Sequence, residues 1–111
     1  MNTAQIDRLL ASVPAGTEER HRRRVLGYAA TARRIDGRIT ALRSALERAL
    51  RAVDDAVADG RGEEAADEAL ALAQELDSLE RVQPRVDSWL RVSVGSVVDD
   101  PGLEPFGEGP A

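Results

Sequence analysis

The sequence predicts an all-α protein: an antiparallel two-helix coiled-coil hairpin with a short N-terminal helix and an extended C-terminal tail. Three observations carry that prediction. Val25, Tyr28, Ala32, Ile35, Ile39, Leu42, Leu46, Ala49, Val53 and Ala56 follow one another at alternating steps of three and four, the spacing of a coiled-coil seam. Gly60-Arg61-Gly62 then interrupts the chain, and a second long helical pattern follows, so the two helices are antiparallel neighbours. Finally, 32% of residues are charged and the aromatics are only Tyr28, Trp89 and Phe106, a composition that suits long helices in close contact.

The elements follow in order. Residues 1–16 form a short N-terminal helix and its breaker. Ile6, Leu9, Leu10 and Val13 recur at helical spacing over 3–13, Asn2 or Thr3 is placed to cap, and Pro14-Ala15-Gly16 ends the element. The hairpin spans 17–93, with its turn at 60–62. Thr17 is the expected cap of its first helix, and Glu18 and Glu19 lie in the first turn, where the helix dipole favours acids. That helix should reach Asp59, with Gly60 taking the positive φ of a C-terminal cap. The next helix opens at Glu63 and Glu64 and should run to about Val92. Pro84 inside it predicts a kink or break near Gln83, because proline removes a hydrogen bond and clashes with the preceding turn.

Folding the chain about Arg61 places Leu46 near Leu76, Leu42 near Leu79, Trp89 beside Ala32 and Pro84 beside Gly37. The last pair predicts a kink common to both helices. From 94 to 111 the chain reads as an extended, acidic, Gly/Pro-rich tail, with Val92, Val94, Val97 and Val98 as material for a short strand. Leu103 and Phe106 are its apolar residues, a candidate docking segment, against the alternative of a frayed terminus.

One seam does not use all the apolar surface. Leu50 and Val57 flank it on the first helix, and Leu70 and Ala73 widen the stripe of the second. A stripe that broad calls for a further helix, and the N-terminal helix belongs to the other end of the hairpin. Self-association or a foreign helical partner is therefore expected, since a two-helix hairpin seldom buries enough to fold alone.

Charge is the second informative pattern. Residues 18–51 hold ten Arg against four acids, and residues 54–80 hold ten acids against one Arg. Arg20, Arg23, Arg34 and Arg38 share one helix face, as a phosphate-contacting ladder would. A protein with net charge −5 and few stacking aromatics fits better with that face meeting protein acids.

Catalytic chemistry has little to stand on. Glu18 and His21 make a Glu-x-x-His pair, but it is single and sits among arginines that repel a cation, so a surface histidine is the expectation. The carboxylates of Asp54, Asp55, Asp59, Glu63, Glu64, Asp67 and Glu68 match no calcium-loop spacing and read as a solvated tip. The chain has no Cys, and all fifteen of its basic residues are Arg, which excludes thiolate and Schiff-base lysine mechanisms.

The expected function is a non-catalytic interaction or assembly component without cofactor or small-molecule substrate, in a setting such as a phage particle or a secretion-associated assembly. The partner expected is the chain itself or another helical protein. An Arg-mediated nucleic-acid-binding regulator is the alternative. No basic-then-apolar leader and no apolar run of spanning length are present, so the expected setting is the cytoplasm or a particle assembled there, without membrane contact.

Overall fold

The computed structural model describes residues 1–99. Three helices make up this part: α1 (Thr3–Ala11), α2 (Glu19–Ala58) and α3 (Gly62–Asp99), with no strand among the described residues. The two long helices pack against each other as the hairpin predicted. Leu103 and Phe106 lie outside the described residues.

Local chemistry accounts for each boundary. At the start of α1, the Asn2 side chain accepts from the Gln5 backbone N–H at 2.9 Å, while the Gln5 side chain accepts from the Asn2 N–H at 2.9 Å. This reciprocal box satisfies two donors that a helix start otherwise leaves without partners. Thr17 does not cap α2 as expected; its hydroxyl donates to the Pro14 carbonyl at 2.7 Å instead. Arg22 donates to the carbonyls of Pro14 and Ala15, so the connection between α1 and α2 is pinned by side chains. At the turn, Gly60 takes φ +76°. The Arg61 N–H donates to the Ala56 carbonyl at 2.8 Å and the Gly60 N–H to the Val57 carbonyl at 3.2 Å. Those paired bonds are a Schellman cap, which glycine permits by tolerating the left-handed conformation.

Where the sequence predicts a kink or a break at Pro84, α3 continues through it as one helix without a break. It also extends past Val92 to Asp99, so residues 94–99 are helical rather than extended, and the valines there form no strand. The cause is packing: Val94 and Val97 are 3% and 0% exposed, recurring at helical spacing with Val86 and Leu90. Burial of such side chains overrides the weak helix propensity of valine and Gly95.

The chain divides into two compact units, one of 1–36 with the segment from Gln83 onward, and one of Gly37–Val82. The first is a three-helix cluster. Ile6 of α1 is fully buried with Val25, Ala29 and Ala32 of α2 and Val86, Leu90, Val94 and Val97 of α3. Trp89 packs against Tyr28, with ring centroids 6.4 Å apart and planes tilted by 44°, one turn from the Ala32 contact expected. The second unit is the two-helix hairpin proper. Its buried apolar residues are Ile39, Leu42, Ala69 and Leu76, while Leu46, Val53, Leu72 and Leu79 remain half-buried. With no third helix over it among the described residues, this unit closes its seam less completely.

Candidate interaction surface

Heptad register locates the surface. With Val25 at position a, the α2 seam continues backward one step to His21 at d, and every seam residue from His21 to Ala56 is buried or half-buried. On α3 the seam is Ala65, Ala69, Leu72, Leu76, Leu79, Gln83, Val86, Leu90, Ser93 and Val97, and again none is exposed. His21 is therefore no surface residue: it is 0% exposed. Neither ring nitrogen has a hydrogen-bond partner, and a Glu18 carboxylate oxygen lies 3.5 Å from Nε2. The same three-four spacing carried back from Val25 was the signal for it.

The two flanks of the seam differ. Arg38 and Glu75 hold position g on their helices and form a bidentate pair at 2.8 and 2.9 Å. Arg43 and Glu80 hold position e and pair at 3.6 Å. In the antiparallel hairpin, the e positions of both helices thus lie on one side and the g positions on the other.

In the first unit the e flank is covered. Ala29, Asp87 and Val94 occupy e positions and are 0%, 6% and 3% exposed. Contacts from the N-terminal segment account for this: Ile6 joins the same core, Asp7 pairs with Arg33 at 2.5 Å, and the Met1 amino group pairs with the Asp87 carboxylate. Such a covered ion pair is weakly screened, whereas the exposed pairs elsewhere contribute about 0–1 kcal/mol each.

In the hairpin unit the e flank carries Leu50, Val57, Ala66 and Ala73, with Leu70 beside them one helical step away. Leu50 is 55% exposed, Val57 63% and Leu70 56%. Ala73 is half-buried, so it forms the floor of the strip more than its face. Val57 also reaches across to the start of α3; a Cβ placed on Gly62 would come within 2.7 Å of its Cγ2. Together these residues make a strip of apolar surface that no described segment of the chain covers. The g flank of the same tip is polar. An open groove there has an alanine floor and is rimmed by Asp55, Asp59, Glu64 and Glu68, with Arg61 beside them.

The arginines singled out by the sequence do not act as one free ladder. Arg23 pairs with Glu19 at 3.3 Å, Arg20 lies 3.7 Å from Glu18, and Arg38 is held by Glu75. Arg34 is exposed. Among the described residues, no group of three or more His, Asp or Glu side chains is placed to hold a metal ion, and no helix is long and apolar enough to cross a membrane. Burial raises the Tyr28 phenol above its usual value of 10, against a smaller lowering by the nearby Arg24 charge.

Compared with known proteins, the chain matches no family model, no curated protein and no solved structure.

Proposed function

We propose that this chain is a non-catalytic helical interaction protein, a small structural component of a homo-oligomer or a larger assembly. A phage particle or a secretion-associated complex is the kind of setting that uses such a component. One observation carries the proposal: Leu50, Val57 and Leu70 are large, apolar and more than half exposed along one flank of a seam that two helices close incompletely. Scattered exposed leucines need no partner, but a contiguous strip beside a half-open seam is what a further helix would complete. The net charge of −5 favours protein association over the nucleic-acid alternative.

The test compares the chain with its Leu50→Asp/Leu70→Asp variant by sedimentation, alone and after mixing with an extract of the source cells, recording the 260/280 absorbance ratio. Association that the double substitution abolishes, in material free of nucleic acid, is the expected result. A chain that associates with nothing, or that sediments only with nucleic acid, defeats the proposal.

A further inference from the structure

We infer that the apolar strip of the hairpin unit is the seat of a basic amphipathic helix from another protein. Its apolar face meets Leu50, Val57 and Leu70, and the Lys or Arg side chains on either side of that face meet an acidic rim. This inference rests on the interaction-protein proposal and names the chemistry of its partner.

Charge beside the strip supplies the identification. A helix seated there touches the e row of α2 and α3 and the b row next to it. Between Gly37 and Val82 those rows carry the carboxylates of Glu47, Asp54, Glu63, Asp77 and Glu80, and Arg43 is their one cation. Arg43 is taken up by Glu80 at 3.6 Å. Glu47 and Asp77 each meet an arginine one turn on, Arg51 at 2.8 Å and Arg81 at 3.0 Å, in exposed pairs that a second cation can share. Asp54 and Glu63 are exposed and have no ion-pair partner among the described residues. Asp54 stands within one turn of both Leu50 and Val57, and Glu63 two turns from Leu70. Both edges of the strip are therefore acidic, and an apolar stripe between two basic rows complements them.

The first unit shows how this fold seats a third helix on the same flank. Ile6 of α1 supplies the apolar anchor. Where the flank offers a carboxylate, Asp87 in the e row, the N-terminal segment supplies the Met1 amino group; where it offers a cation, Arg33 in the b row, α1 supplies Asp7. The hairpin unit presents the apolar side chains and the carboxylates, and among the described residues no helix meets them.

Other occupants fit the charge poorly. A second copy would set the same acidic rim against this one, a like-charge contact that opposes association. Residues 100–111 hold Asp100, Glu104 and Glu108 and no arginine. From Arg43 to Val57 the strip runs about 20 Å at ~1.5 Å per residue, so about four turns of a foreign helix cover it.

The test uses two synthetic peptides, each about three heptads long with Leu at a and d. One carries Lys at e and g and the other Glu, so that like charge keeps each from pairing with itself. Binding to the full chain is read by fluorescence anisotropy, with the helicity of each variant checked by circular dichroism. The Lys peptide should bind about tenfold more tightly than the Glu peptide, with a dissociation constant that rises with salt. Leu50→Ser/Leu70→Ser, which changes no charge, should abolish that binding. Asp54→Lys/Glu63→Lys should shift the preference toward the Glu peptide. Asp54→Lys alone, near the C-terminal end of α2 where a cation suits the helix dipole, should shift it in the same direction.

Equal binding of both peptides through the strip would overturn the basic partner while leaving the interaction proposal standing. Binding of the Lys peptide that survives Leu50→Ser/Leu70→Ser would place it on the acidic tip and overturn the inference. Failure of both peptides to bind overturns it as well, and the sedimentation comparison above then decides the interaction proposal by itself.

Discussion

Arg43 on α2 pairs with Glu80 on α3 at 3.6 Å, and each occupies the position immediately beside its helix's seam. That one contact orders the whole surface of the hairpin. It shows that Leu50 and Val57, seven and fourteen residues on from Arg43, share a side with Ala73 and Ala66, seven and fourteen residues back from Glu80. The pair itself is exposed and worth little in energy; its value is in defining the register.

His21 is a buried polar residue at a seam position with unmet hydrogen-bonding capacity. His21→Leu keeps a similar volume and removes the desolvation cost of the ring nitrogens. Urea unfolding monitored by helicity should show a gain of about 1–3 kcal/mol. A loss of stability would mean the ring is held by contacts more favourable than apolar packing.

Gly37 lies inside α2, and a Cβ added there would meet nothing within 4 Å. Gly37→Ala should therefore stabilise the helix by about 1 kcal/mol, chiefly by restricting the unfolded chain. Thermal unfolding of the two proteins side by side checks this. An unchanged or lowered midpoint would assign Gly37 a role beyond helix propensity, beside the division between the two units.

Ile6 is the fully buried anchor of α1 in the three-helix cluster. Ile6→Ala should cost about 2–5 kcal/mol. Hydrogen exchange followed residue by residue should show the loss concentrated in residues 3–35 and 83–97. Uniform loss over the hairpin as well would mean that the two units unfold as one.

Tyr28 is the only tyrosine, so its ionisation can be read from phenolate absorbance without interference. Burial raises its folded value, so above pH 10 the unfolded chain ionises first and stability falls as pH climbs through the folded value. The titration midpoint should lie above 10 in the native protein and return to about 10 in urea. Identical midpoints in both conditions would remove the burial at this ring.

Much of the fold was legible in the sequence because it rests on periodicity. The seam of α2, the glycine cap at Gly60 and the antiparallel pairing of α2 with α3 all follow from spacing and turn chemistry; the register does not, since Trp89 meets Tyr28, one turn from Ala32. The misreadings have physical causes. Val94 and Val97 were assigned to a tail because local propensity cannot register that Ile6 and Val25 wait to bury them. Pro84 predicts a kink or a break, and of the two the break is absent: Leu79 and Val86 are packed on either side of it and α3 runs through. Its arginine neighbours make His21 read as a surface residue, whereas its place one step before Val25 in the seam buries it. The strip of Leu50, Val57 and Leu70 was visible as surplus apolar surface, and the structure adds the side of the seam on which it lies.

Light scattering on the purified, nuclease-treated full chain, alone and mixed with an extract of the source cells, tests most directly whether that strip is an association surface. A mass above 12.0 kDa that returns to one chain with Leu50→Asp/Leu70→Asp is expected. A single species of 12.0 kDa under both conditions would contradict it.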